Sequence, residues 1–300
     1  MAIRKRNLTR SEKPMIETAA PSSQQMNGQN FQNPAFNHSL QSTSEYSQAL
    51  QTTYAPSANQ NVKQNSDLFF WSAITGFAQI ASAFVNEDGN ADGGTGTGFV
   101  IYREEGENGR TVILTNRHVA PPVKSLSLRV QTKGGEIVEA KLAGYPKDGT
   151  DLAVLLIKNL DDLKPMWRLA HSDSLDAGDQ VFTIGHPLGT FDFTVSEGNF
   201  AQIRNNLRTP DGQVIHHGPI IQHSVAISPG NSGGPLFGPD GSIVGVNTYF
   251  IDSGNALYFA IPVDFLLKED AWLWEGDLKV LPLIRKIQFL ETPRKPQKEE

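Results

Sequence analysis

The chain has 300 residues, 38% of them hydrophobic, and a formal net charge of −6 without a single cysteine. A disulfide framework and thiol chemistry are therefore excluded. The charge is graded: residues 1–66 carry six Lys/Arg and three Asp/Glu, whereas residues 67–265 carry 13 and 22. An acidic centre of that kind argues against nucleic acid as a main partner.

In chain order, residues 1–66 are rich in Gln, Asn, Ser, Thr and Pro and show no sustained apolar periodicity. Too little apolar surface is available there to offset chain entropy, so a disordered polar tail is expected. Arg4-Lys5-Arg6 has the charge of a signal-peptide start, but no apolar run follows it. The cytoplasm is therefore the default compartment, with non-classical export as the alternative. Leu68 to Val85 contains no charge over 18 residues, yet Ser72, Thr75, Gln79 and Ser82 interrupt it. Phe70, Ile74, Phe77, Ala81 and Phe84 fall at helical spacing, which predicts a short amphipathic helix running into a strand, not a membrane anchor.

Asn86 to Gly98 reads as a glycine- and acid-rich flexible hairpin. Asp88-Gly89-Asn90-Ala91-Asp92-Gly93 matches the opening of a calcium loop, but Phe99 stands where the closing glutamate belongs. Gly94, Gly96 and Gly98 precede a strand, the reverse of a nucleotide-binding loop. Thr132-Lys133-Gly134-Gly135 predicts a hairpin between Leu126–Gln131 and Glu136–Leu142. Pro210-Asp211-Gly212-Gln213 predicts another turn. His216, His217 and His223 lack a regular ligand spacing, so no zinc site is expected, and no other metal or cofactor. Asp264 can cap a helix running to about Trp274, and Thr292 to Glu300 reads as a charged, disordered end.

Three stretches carry chemistry. Ser232 lies in Ile227-Ser228-Pro229-Gly230-Asn231-Ser232-Gly233-Gly234-Pro235-Leu236, a turn of glycines and prolines between two apolar, β-branched segments. Such a turn can aim the N–H groups of Gly230 and Ser232 at one point, as an oxyanion hole requires. A serine hydroxyl becomes a strong nucleophile only when a base takes its proton and a third group holds that base. His118 ends the strand Thr111–Thr115, and Asp151 opens the apolar run Leu152–Ile157. An acid at the mouth of such a strand is partly desolvated and can orient an imidazole. Asp148 is a competitor for that part, without an apolar strand directly behind it. The order His, Asp, Ser is that of chymotrypsin-type enzymes, and not of subtilisins or α/β-hydrolases.

Thr115-Asn116-Arg117-His118-Val119, Asp151-Leu152-Ala153-Val154-Leu155, Ile184-Gly185-His186-Pro187-Leu188-Gly189 and Gly230-Asn231-Ser232-Gly233-Gly234-Pro235 resemble the HtrA/Deg family of trypsin-fold serine proteases. Asn247-Thr248 and Phe259-Ala260-Ile261-Pro262 continue the match, which runs from about Ile80 to Leu267. The resemblance implies an all-β fold of two perpendicular six-stranded antiparallel barrels, at about 80–160 and 178–262, within a domain spanning 67–275. A C-terminal helix and a partly disordered extension over 276–300 would complete the chain. It implies His118 as base, Asp151 as orienting group and Ser232 as nucleophile, with the oxyanion hole at Gly230, Asn231 and Ser232. Pocket walls are implied at Ala226, at Thr248, Tyr249, Phe250 and Ile251, and at Tyr258, Phe259 and Ala260.

The expected activity is peptide-bond hydrolysis through an acyl-enzyme. No charge lies among the pocket walls, so a small or medium apolar residue is expected before the scissile bond. Ser196-Glu197-Gly198-Asn199 departs from the small or apolar residues that relatives carry there, and Tyr249, Phe250, Tyr258 and Phe259 crowd the pocket. Those features motivate an alternative, a chaperone-like or peptide-binding module that cuts weakly or only when triggered. Relatives commonly continue into a PDZ domain, for which residues 266 to 300 are too few. Protein or peptide substrates are the expected partners, and the oligomeric state is left open.

Overall fold

The computed structural model describes residues 16–18, 76–86, 88–106, 108–161, 163–165, 168–185, 194–209, 212–251 and 257–290. Its strands are β1 (Ile16–Thr18), β2 (Phe77–Val85), β3 (Ala91–Arg103), β4 (Arg110–Thr115), β5 (Ser127–Thr132), β6 (Ile137–Pro146), β7 (Ala153–Lys158), β8 (Gln180–Gly185), β9 (Thr194–Arg208), β10 (Val214–His223), β11 (Pro235–Phe237), β12 (Ile243–Ile251), β13 (Leu257–Pro262) and β14 (Trp272–Trp274). One short α-helix, α1 (Leu281–Ile284), follows them.

The strands form two antiparallel barrels. In the first, β6-β5-β2-β3-β4-β7 is closed by the pairing of β6 with β7, and β14 is added outside β6. In the second, β12-β11-β8-β9-β10-β13 is closed by β12 on β13, and β1 lies on β12. The all-β, trypsin-like expectation is borne out. Strand character follows burial. The nearly unbroken apolar β7, between β4 and β6, is buried from Ala153 to Ile157. By contrast β5, with one face outward, alternates buried Leu128, Val130 and Thr132 with exposed Ser127 and Arg129. The hairpin after β5 is also found, with the Gly135 N–H donating to Thr132 O at 3.0 Å and φ of +84° at Gly135.

A shared core joins the barrels. Phe77 and Phe99 of the first pack in one apolar cluster with Ile184, Phe237, Val246 and Ile261 of the second. The Phe77 ring meets Phe237 edge-on at 6.1 Å, and Phe182 stacks on Phe237 at 4.8 Å. Residues 276–290 reach the same core through Val280, Leu283 and Ile284.

Three local expectations change. The expected strand at the end of this stretch, about Ala81 to Val85, is found as part of β2, but β2 already starts at Phe77, where helix was expected; pairing along both edges with β3 and β5 overrides the local period. The glycine-rich stretch from Ala91 is strand, because its small residues let β2 and the neighbouring side chains approach. Residues 264–274 are not a helix. They form 3-10 turns at Val263–Leu267 and Glu269–Ala271, then β14. Instead of capping a helix, the Asp264 carboxylate accepts hydrogen bonds from His171 Nδ1 and Ser172 N, tying this turn to the second barrel. Arg4–Arg6, residues 68–75, 186–193 and 292–300 lie outside the described residues. The expected polar tail lies there too, apart from β1.

Candidate active site

His118 stands in a turn just past β4, and Asp151 just before β7. Because β4 and β7 pair with Thr115 opposite Ala153, the two turns meet at one end of the first barrel. Asp151 Oδ2 lies 2.7 Å from His118 Nδ1, and Oδ1 accepts the His118 backbone N–H at 2.9 Å. A third donor comes from the other barrel: the Thr248 hydroxyl donates to Oδ2 at 2.5 Å. Asn116 Nδ2 holds the Asp151 carbonyl at 2.8 Å. Asp151 is 6% exposed, so its carboxylate meets directed donors more than water.

The serine turn is two tight turns in succession. Asn231 N–H donates to Ser228 O across Pro229-Gly230, and Gly234 N–H donates to Asn231 O across Ser232-Gly233. Gly230 and Gly233 have φ of +98° and +81°, the third-position conformation of type II turns, which glycine adopts without strain. The far side is clamped by β3: Thr97 N–H donates to Ser232 O at 2.8 Å, and Thr97 Oγ1 to Gly230 O at 2.7 Å. Gly233 N–H donates to Asn247 O, and Asn247 N–H to Gly234 O, which fastens the turn to β12 one residue before Thr248.

Gly96 packs against both the segment after His118 and the serine turn. A Cβ there would fall 2.5 Å from Val119 Cγ2, next to His118, and 3.0 Å from Ser232 O. Ser232 Oγ and His118 Nε2 are both buried, and neither finds a hydrogen-bond partner among the described residues. The Gly230 and Ser232 N–H groups likewise donate to no described residue. A hydroxyl, an imidazole nitrogen and two amide N–H groups are thus left without a described partner, and a cleft of about 160 Å³ opens beside His118, lined also by Phe84, Asp92, Gly93, Gly94, Thr95 and Val119. This set can remove a hydroxyl proton and hold a developing oxyanion.

The model of the trypsin-like peptidase domain matches residues 96–246, the span that carries His118, Asp151 and Ser232. The chain belongs to the trypsin-like peptidase family. This peptidase chain is of the HtrA/Deg kind. It is 38% identical over 176 residues to the Hahella chejuensis protein named "Probable periplasmic serine endoprotease DegP-like", covering 58% of this chain and 34% of that one. It is 35% identical over 209 residues to the Bacillus subtilis "Serine protease Do-like HtrA", covering 68% and 42%. The chain thus spans less than half the length of these relatives. Among solved structures it is similar to the HtrA-type protease AlgW with a tripeptide (TM-score 0.53, 26% identity, 71% of this chain and 62% of that one). Deg5 gives a TM-score of 0.50 with 27% identity, over 70% and 94%. The default expectation of the cytoplasm is corrected here, since DegP-like relatives from Hahella chejuensis and Pseudomonas fulva are named periplasmic.

The expected pocket walls divide by environment in this peptidase. Ile251 and Phe259 are buried in an apolar cluster with Leu207 and Ile220, and Ala260 in another with Val181 and Phe200. Thr248 is fully buried and directs its hydroxyl to Asp151. Tyr249, Phe250 and Tyr258 are half-buried, and Ala226 is exposed. The Phe250 and Tyr258 rings lie 6.4 Å apart, and His223 stacks on Tyr258 at 6.3 Å. Burial, with the nearby Asp151 charge, raises the Tyr249 hydroxyl pKa, so Tyr249 is a neutral phenol, and its ring packs against the cluster of Leu207, Ile220, Ile251 and Phe259. Two residues of the site were missed in the sequence, Thr97 and Gly96. Their only local signal was the Gly94-Thr95-Gly96-Thr97-Gly98 run, which reads equally well as a loop.

Proposed function

We propose that the chain is a serine endopeptidase. Ser232 Oγ attacks the peptide carbonyl while His118 Nε2 takes its proton. Asp151 holds the imidazole with Nδ1 protonated and stabilises the imidazolium that forms. The Gly230 and Ser232 N–H groups receive the oxyanion, and a donor of this type is typically worth about 2.7–4 kcal/mol. The His118 proton then passes to the leaving amine, and water releases the acyl group from Ser232. The observation that carries this reading is the Asp151 carboxylate engaged with His118 Nδ1 while Nε2 and Ser232 Oγ stay unpartnered. Substrates are proteins or peptides with a small or medium apolar residue before the scissile bond, because half-buried Tyr249, Phe250 and Tyr258 bring rings and no charge to the pocket. The names of the relatives point to the periplasm or the cell exterior as the place of action.

Fluorophosphonate labelling tests the reading. Wild type should label at Ser232 and cleave unfolded protein, and Ser232→Ala should do neither. Asp151→Asn should fold normally and lose roughly 10⁴-fold in turnover. A folded wild-type protein that takes no label would replace this reading with that of a peptide-binding module.

A further inference from the structure

The cleft beside His118 has features that the proton relay does not use. It lies on the first barrel, where β2 and β3 pair in unbroken register from Phe77 opposite Phe99 to Val85 opposite Ala91. In that register Asp92 is directly opposite Phe84, so the two side chains stand together on one face. Successive residues of a strand alternate faces, which puts Asp92, Gly94 and Gly96 in one row. Gly94 has no side chain and leaves a trough along that row. At its end a Cβ on Gly96 would fall 3.0 Å from the Ser232 carbonyl, the group to which Thr97 N–H donates. One strand face therefore runs from the nucleophile's own residue to a carboxylate. Asp92 brings the only carboxylate among the described residues that line the cleft. Its Oδ1 accepts the Gly93 N–H at 2.7 Å, and it forms no ion pair with a described residue. Both Asp92 and Phe84 are half-buried and open to a ligand.

We propose that this cleft takes the leaving-group half of the substrate, and that Asp92 with Phe84 selects a lysine or arginine within two residues after the scissile bond. The proposal rests on the endopeptidase reading above. His118 must hand its proton to the leaving amine, so the chain on the amine side passes beside His118, which itself lines the cleft. The acyl side belongs to the second barrel, which carries the Gly230 and Ser232 N–H groups and the apolar pocket walls. Asp92 lies four residues from Gly96, about 13 Å along the strand at ~3.3 Å each. Two extended substrate residues cover about 7 Å of that distance, and the rest calls for a long side chain. A basic residue fits, with its apolar stem along the Phe84 ring and its charged head at Asp92. An acidic residue would meet a like charge there. At about 160 Å³ the cleft is smaller than small-molecule sites, which run to roughly 300–1,000 Å³, and it suits a single side chain.

Kinetics on paired peptides test this. Each pair shares an apolar residue before the scissile bond and carries either Lys or Leu at the first or second position after it. In wild type, kcat/KM should favour Lys over Leu by about three- to tenfold at one of those positions, and high salt should weaken the preference. Because both peptides meet the same enzyme sample, their ratio is independent of how much of a variant is folded. Asp92→Asn should bring the ratio close to one, Asp92→Glu should retain the preference, and Asp92→Lys should turn it toward a Glu peptide. A wild type that cleaves the peptides without preferring Lys overturns the proposal and leaves the endopeptidase standing. So does a preference that survives in Asp92→Asn. A folded wild type that neither labels with fluorophosphonate nor cleaves any peptide removes the endopeptidase reading, and this proposal with it.

Discussion

At the level of single residues, the most informative contact is the one Thr248 makes. Its hydroxyl lies on the second barrel and its acceptor, Asp151, on the first. Asp151 is nearly buried, so each donor lost exposes charge to an apolar surround instead of to water. A hydrogen bond to a charged group contributes about 1.5–3 kcal/mol. Thr248→Val should therefore reduce kcat roughly 10- to 150-fold with little change in KM, and Thr248→Ser should retain most activity. Steady-state kinetics on one peptide substrate would check both variants. An unchanged kcat in the valine variant would mean that the hydroxyl merely packs.

Among elements, β3 departs furthest from its sequence pattern. Glycine weakens an isolated strand, and five residues alternating Gly and Thr suggest a flexible loop. In the folded chain the same glycines are required by approach distances. Gly98 leaves no room for a Cβ beside Ile80 and Ile113, and Gly96 none beside Val119 and the Ser232 carbonyl. Between them Thr97 holds the serine turn. Gly96→Ala should displace His118 or the serine turn, because the Ser232 carbonyl is backbone and cannot swing aside. Overpacking typically costs 1–3 kcal/mol. Thermal melts should show a loss of about that size, while fluorophosphonate labelling should slow by at least tenfold. Local pattern could not reveal this, since the neighbours that exclude a Cβ come from β2, β4 and residues 119 and 232. The missing helix at 264–274 has the same origin: Asp264 is engaged by His171 and Ser172, some 90 residues away in sequence.

For the whole molecule, closure of the second barrel sets a dependence on acid. His223 is fully enclosed, and burial, only partly opposed by the neighbouring Asn247 side chain and Val225 backbone, lowers its pKa to about 3. Burial also lowers the pKa of His216. An unfolded histidine binds its proton near pH 6.5, so between about 6.5 and 3 the unfolded chain holds the extra proton. Folding stability should then be unaffected by His223 above pH 6.5 and decline as pH falls through that window, by at most about 1.4 kcal/mol per pH unit. Urea unfolding between pH 4 and 7 should show a shallower decline for His223→Phe than for wild type. Equal slopes would place the acid sensitivity elsewhere.

What the sequence alone determined is local: a glycine- and proline-bounded serine, a histidine at a strand's end and an aspartate at a strand's start. Turn chemistry and apolar runs act over a few residues, so they are legible there, and the family motifs repeat them in order. Only the tertiary structure decided how Asp151 is shared between His118 and Thr248, how Thr97 holds the serine turn, which pocket residues sink into the core, and that Ile16–Thr18 joins β12. Each of those joins residues tens to hundreds of positions apart, and they meet only once the two sheets have closed.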